Sequence, residues 1–197
     1  MKLVCASANP KKVAELARLL PAWVDLVPRP DEVGDIEETA PTLEGNAIIK
    51  AVEIANFTHE WAISDDTGLE VEALNGEPGV RSARFAGDDA TDAENRELLL
   101  RKLIGVANRR ARFRTVVALV NAKGEMHFVT GECAGTIAEA ERGEHGFGYD
   151  SVFIPSEGDG RTFAEMNAVE KDAISHRGRA IAQVPELLSR IFGLPQP

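Results

Sequence analysis

Short apolar runs alternating with helically spaced apolar positions predict a mixed domain, α/β or α+β, built on a central sheet. Three observations carry that prediction. Leu3 to Ala6 is an apolar run, followed by the helix-starting pair Asn9-Pro10 and then by Val13, Leu16, Ala17 and Leu20 at helical spacing. Phe113 to Val120 and Met126 to Cys133 flank Asn121-Ala122-Lys123-Gly124, a hairpin signal. No repeat, low-complexity tract or flexible linker interrupts the chain, so residues 1–197 read as one domain.

The elements follow in order. After the opening strand, loop and helix, Pro21, Pro28 and Pro30 surround a Val24-to-Val27 run that suits an edge strand. Asp35 to Pro41 is an acidic loop, and Leu43, Ala47, Ala51, Ile54 and Ala55 form the apolar stripe of a second helix. Trp61-Ala62-Ile63 is a short buried strand expected to end at Ser64-Asp65-Asp66. Asn75 to Gly79 is a turn. Thr91 and Glu94 make a capping box for a helix that runs through Leu103 and stops at Gly105. Beyond the hairpin, a separate strand is expected near Gly135 to Ala138. Gly143 to Gly148 is glycine-rich and leads into Ser151 to Ile154. Thr162 and Glu165 form a second capping box. Ala180, Ile181, Val184, Leu187, Leu188 and Ile191 share one face of a final helix in which Pro185 is expected to make a kink. Strand order is not contained in such a pattern.

Composition narrows the function. Against 32 Asp and Glu stand 22 Lys and Arg, a net charge of −10, and such a surface repels nucleic acid. A small phosphorylated ligand remains compatible, because a few local cations or a metal can hold it. Val116 to Val120 is the longest wholly apolar run, far short of a membrane span. The N-terminus turns polar at Ser7 and lacks a signal-peptide core. Two cysteines, Cys5 and Cys133, make no disulfide framework. The expectation is a reduced, cytoplasmic protein that binds neither nucleic acid nor membrane.

Four groups of residues stand out as possible chemistry. Ser7-Ala8-Asn9-Pro10-Lys11-Lys12 joins a strand to a helix start, where backbone N–H groups and Lys12 suit an anion; a capped helix with solvated lysines is the plain reading. Glu37-Glu38 and Asp65-Asp66 are carboxylate pairs of the type that Mg²⁺ shares with phosphates and waters. Neighbours on an extended chain point to opposite sides, so one of Asp65 and Asp66 faces any given site. Gly146-Phe147-Gly148-Tyr149-Asp150 offers a ring for stacking and a carboxylate for ring N–H groups, or else a plain glycine turn. Lys171 and Ser175-His176-Arg177-Gly178 place cations at a helix start, which is uncomfortable unless an anion or carbonyl lies opposite. Arg109, Arg110, Arg112 and Arg114 read as solvated positions around Phe113.

Together these segments resemble the inosine/xanthosine triphosphate pyrophosphatase family. The resemblance runs in order from Ser7 to Arg177. It takes in Ser7-x-Asn9-x-x-Lys12-x-x-Glu15, Glu38-Thr39, Thr42-x-x-x-Asn46-Ala47-x-x-Lys50-Ala51 and Ser64-Asp65-Asp66-Thr67-Gly68-Leu69. Gly76-x-Pro78-Gly79-Val80-x-Ser82-Ala83-Arg84-Phe85-Ala86-Gly87, Gly146 to Asp150, Ala164-Glu165-Met166, Lys171 and Ser175-His176-Arg177 complete it. It implies an elongated two-lobed α/β fold with a long curved mixed sheet and a central nucleotide cleft, usually as a homodimer. It also implies a Mg²⁺-dependent hydrolase that splits ITP, dITP or XTP into the monophosphate and pyrophosphate. By position, Ser7, Ala8, Asn9, Pro10, Lys11 and Lys12 would bind phosphates, and Glu37 and Asp66 would hold Mg²⁺, with register alone separating Glu37 from Glu38. Asp66 would also accept the proton of the attacking water, and Thr67 would touch substrate. Phe147, Gly148, Tyr149, Asp150, Lys171, His176 and Arg177 would surround the base and sugar. The chain departs from the family pattern at Leu43, commonly Phe, at Gly45, commonly Glu, at Thr67, commonly Ser, and at Arg81, commonly aromatic.

Overall fold

The first strand, β1 (Lys2–Cys5), buries Leu3, Val4 and Cys5 in succession. A continuous apolar run of this kind suits an inner strand of a parallel sheet. It pairs in parallel with β2 (Asp25–Val27) and with β3 (Ala62–Val71). The computed structural model describes residues 1–193, and in it the sheet has seven strands, ordered β2-β1-β3-β5-β6-β7 with β4 (Pro78–Gly79) on β3. Here β5 is Arg110–Val120, β6 Met126–Ile137 and β7 Phe153–Pro155. The β3/β4 and β6/β7 pairs are antiparallel, so the sheet is mixed and the fold is α/β.

The helices start where capping chemistry places them. Asn9 caps α1 (Pro10–Leu19), its Oδ1 accepting from the N–H of Lys11 and of Lys12 at 2.9 and 3.3 Å. Thr42 caps α2 (Leu43–Thr58) through the N–H of Gly45. The Thr91–Glu94 capping box opens α3 (Asp92–Lys102) as expected. The Thr162–Glu165 box opens a short 3₁₀ turn, Phe163–Glu165. A helix with no sequence expectation, α4 (Ala168–Ile174), carries its own box from Asn167 to Glu170.

Contacts divide the chain into two compact units. The first comprises Met1–Asp66, Thr115–Gly131 and the chain from Arg179 onward; the second comprises Thr67–Arg114 and Glu132–Gly178. Each has its own core. Leu3, Leu16, Ile63, Leu119, Ile181, Leu187 and Leu188 pack in the first, and Leu69, Leu99, Phe113, Ile137, Phe153 and Phe163 in the second.

Four expectations need correction. The third strand does not end at Ser64-Asp65-Asp66 but continues to Val71, because both acids lie buried beside lysines and Leu69 and Val71 resume the apolar pattern. Met126–Cys133 and Gly135–Ala138 are one strand, β6. Gly135 is no break there: a Cβ at that residue would collide with the Ile154 carbonyl and the Phe153 ring of neighbouring β7. Pro185 kinks no helix. The chain breaks after α5 (His176–Ile181), and Pro185 stands in the first turn of a new helix, α6 (Val184–Phe192), where its missing N–H is harmless. Finally, of the arginines around Phe113, Arg110 and Arg112 are exposed as expected, but Arg109 is not simply solvated. Arg109 donates to the carbonyls of Leu103, Ile137 and Ala138, and Arg112 pairs with Glu70 and Glu132.

Candidate functional site

In the first unit the candidate groups form a connected set of charges. Asp65 and Asp66 follow one another along β3, and alternation sends them to different helices. Asp65 Oδ2 lies 3.5 Å from Nζ of Lys12, on α1. Asp66 Oδ1 accepts from Nζ of Lys50, on α2, at 3.0 Å. The same ammonium donates to Glu38 Oε1 at 2.6 Å, so Lys50 bridges the acidic loop and the strand. Glu37 is exposed, and Glu38 is the member of that pair turned toward Lys50.

Burial lifts the Asp66 carboxyl above the ordinary carboxylate range, against the opposing pull of Lys50 and Lys12. Burial also disfavours the charge on Lys50, but Asp66, Glu38 and Asp65 outweigh it and leave its affinity for the proton raised. Asp66 Oδ2 is buried and has no hydrogen-bond partner. A buried carboxylate oxygen left in that state is the acceptor that a hard divalent cation or a water takes up. Among the described residues no three His, Cys, Asp or Glu side chains converge as a complete metal cage. Asp66 and the Glu37–Glu38 loop supply the carboxylates that would hold a hard cation here if phosphates and waters completed its shell.

The phosphate candidates have a mixed outcome. Ser7 Oγ accepts from the N–H of Asn9 at 3.2 Å, and Asn9 in turn occupies the N–H groups of Lys11 and Lys12. Two of the backbone N–H groups at the start of α1 are therefore already capped, as the plain reading has it. What the segment offers an anion is the positive end of the helix and the Lys12 ammonium. Ala8, Pro10 and Lys11 are exposed.

The second unit holds a different set. Asp150 Oδ2 accepts from Lys171 Nζ at 2.7 Å and from the N–H of Phe147 at 2.9 Å. The Asp150 and Lys171 side chains are only 5% and 7% exposed, so they form a buried ion pair. Gly146 makes it possible: at φ 76° it occupies the left-handed region, and a Cβ there would collide with Asp150 Oδ2. The Lys171 ammonium lies 5.2 Å from the centre of the Phe147 ring and the Arg177 guanidinium 5.6 Å from it. Arg177 also donates to Thr67 Oγ1 at 3.1 Å. The His176 imidazole stacks on Phe113, with centroids 4.4 Å apart and planes 18° apart. Gly148 offers its N–H to Asp92 and its carbonyl to Arg96. Tyr149 is turned into the core, its hydroxyl donating to the Ser82 carbonyl at 2.8 Å, and burial raises its proton affinity well beyond the usual phenol.

Lys50, Phe113 and the fully buried Asn46 of α2 join the candidate residues without having been assigned a role from sequence, whereas Glu38 already stood there as the alternative to Glu37. Asn46 and Lys50 could have been found: they are polar, one turn apart, and lie on the stripe otherwise made by Leu43, Ala47, Ala51 and Ile54. Phe113 has no such signal, because nothing in a strand sequence reveals a cross-chain stack.

The first unit thus gathers Lys12, Lys50, Glu38, Asp65 and Asp66, and the second, considered by itself, gathers Phe147, Asp150, Lys171, His176 and Arg177. Comparison with known proteins gives the class. The chain belongs to the Ham1 family, whose model matches residues 3–187. It is 47% identical over 192 residues to a dITP/XTP pyrophosphatase of Christiangramia forsetii, covering 96% of this chain and all of the relative. A HAM1 protein from Coxiella burnetii superposes with a TM-score of 0.88 at 41% identity, covering 96% of this chain and 99% of that one. The dITP/XTP pyrophosphatase of Mycobacterium abscessus superposes with a TM-score of 0.76 at 46% identity, over 93% of this chain and 98% of the other.

Proposed function

We propose that this protein hydrolyses ITP, dITP and XTP at the α–β phosphoanhydride, releasing the monophosphate and pyrophosphate and so clearing noncanonical purines from the nucleotide pool. The observation that carries this reading is Asp66: buried, drawn toward higher proton affinity, held through Oδ1 by Lys50 and with Oδ2 unpartnered. Extensive identity to relatives named dITP/XTP pyrophosphatase supports the choice of substrate. Residues 1–197 are read as one catalytic domain, acting in the cytoplasm as a homodimer.

Lys12 and the start of α1 would hold the phosphates, and Glu37 with Asp66 would hold Mg²⁺. When bound, Mg²⁺ supplies neutralisation of phosphate charge as the anhydride opens. Asp66 orients the attacking water and takes its proton; the water oxygen bonds to phosphorus, and the anhydride P–O bond breaks with release of pyrophosphate. Lys50 restrains the Asp66 carboxylate so that its second oxygen keeps a defined direction. No cysteine or serine nucleophile is required.

The base falls to Phe147 for stacking and to Arg177 and His176 for its edge. A 6-keto oxygen accepts from these donors, whereas the 6-amino group of ATP would oppose donor to donor. Leaving buried donors unpaired produces discrimination of about 10⁴-fold. Thr67, tied to Arg177, fixes the guanidinium, and Lys171 with Asp150 fixes the loop that carries Phe147.

Incubation with Mg²⁺ and separately with ITP, XTP, GTP, ATP and dUTP, with pyrophosphate and phosphate assayed apart, tests the proposal. Pyrophosphate from ITP and XTP with little from ATP is the expected result. Orthophosphate instead of pyrophosphate, or equal rates on ATP, would overturn it.

A further inference from the structure

The acidic loop meets the first turn of α2 at Ala40, and two features of the helix receive that residue. Asn46, fully buried, accepts the Ala40 N–H through Oδ1 at 2.9 Å. Gly45, one position earlier, leaves the space that the Ala40 methyl fills: a Cβ built on Gly45 would collide with Ala40 Cβ and stand 3.2 Å from Thr42 Oγ1. One turn further along the same helix, Lys50 ties Glu38 to Asp66. Neither feature is explained by the helix alone. Glycine is a poor residue within a helix, and the Asn46 Nδ2 donor is buried without a hydrogen-bond partner. Both are unfavourable for α2 itself but serve the docking of Ala40, two residues from Glu38 and three from Glu37.

We infer that Ala40, Gly45 and Asn46 form a seat that positions the Glu37–Glu38 carboxylates for a divalent cation shared with Asp66, and that residues 40 and 45 act as a matched size pair. The inference rests on the cation-binding reading of Glu37 and Asp66. It accounts for glycine at position 45: with alanine at 40, a Cβ there collides with the Ala40 methyl. The three residues are positioning residues. They set where the carboxylates stand and touch no reacting atom.

The pair predicts rescue. Mn²⁺ binding in the presence of a non-hydrolysable ITP analogue, followed by electron paramagnetic resonance, reads the cation site without turnover. Gly45→Ala is expected to weaken Mn²⁺ binding by about tenfold or more, in the range found for residues that orient metal ligands. Exchange of the Ala40 amide should accelerate, while the melting temperature holds or rises because alanine favours the helix. Adding Ala40→Gly should restore Mn²⁺ affinity to about the wild-type value, as expected of a coupled contact pair. Independently, Asn46→Leu should expose the Ala40 amide and weaken Mn²⁺, and Asn46→Asp, which keeps the acceptor oxygen, should return the amide's protection. Unchanged Mn²⁺ affinity in folded Gly45→Ala, or failure of Ala40→Gly to restore it, overturns the seat. Wild-type protein that neither binds Mn²⁺ nor releases pyrophosphate overturns the underlying reading instead, so the two failures are told apart.

Discussion

The two units are built from different materials. The first arranges charge: Lys12 on Asp65, and Lys50 on both Asp66 and Glu38, all on residues projecting from β3, two helices and one loop. The second arranges rings and cations: Phe147 near Lys171 and Arg177, and His176 flat on Phe113. Charge acts at a distance and tolerates some freedom, so the first unit can present exposed carboxylates on a loop. In the second unit Lys171, Asp150, His176 and Arg177 are all buried, whereas the first unit combines buried Asp65, Asp66 and Lys50 with an exposed Glu37.

That contrast can be broken by substitution, in descending order of effect. Asp66→Asn should reduce pyrophosphate release from every triphosphate by about 10³-fold, within the span of general-base contributions, with the melting curve retained. Near-normal turnover in the folded variant would remove Asp66 from the chemistry. Arg177→Ala belongs to the second unit and should act on the base alone: kcat/KM for ITP and XTP falls by about 10–100-fold, the scale of a charged hydrogen bond, with little change for ATP. An equal loss on all substrates would show that Arg177 handles phosphate. Lys12→Met should do the converse, raising KM about tenfold irrespective of base, as for loss of one charged contact. Phe113→Leu removes the stack beneath His176 and should raise KM for ITP by about two- to tenfold, the value of an aromatic pair, while leaving the Mg²⁺ requirement unmoved. Tyr149→Phe deletes only the bond to Ser82. A melting temperature lower by about 2–4 °C with base preference intact is the expected outcome, which a shift in ITP-to-ATP ratio would contradict.

Much of this division is visible in the sequence, and the gaps have physical causes. Caps at Asn9, Thr91 and Thr162 are local, satisfied within three residues, and so were readable. β3 was cut short because Ser64-Asp65-Asp66 looks like the polar end of a strand. Only the lysines arriving from α1 and α2 make buried acids tolerable there, and sequence periodicity contains no such partners. Met126 to Cys133 and Gly135 to Ala138 read as two strands because the reason for a glycine inside one strand, β7 lying against β6, is a matter of sheet order. In the second unit the Gly146–Asp150 segment was legible as a group. That Tyr149 faces inward while Phe147 does not depended on Ser82, which lies 67 positions away in the chain.

The division into cores also bears on how the protein is made. The first core joins Leu3 and Leu16 to Leu187 and Leu188, so its opening and closing elements are separated by nearly the whole chain. On the ribosome, β1 and α1 meet Ile63, Val117 and Leu119 first, and their core is complete only when α6 is released. The second core, drawn from Leu69 through Met166, has all its parts earlier. Long-range closure of this kind slows folding and leaves the nascent chain dependent on protection from aggregation. Translation that stops short of α6 would therefore leave the first core without Leu187 and Leu188 while every residue of the second core has already been made.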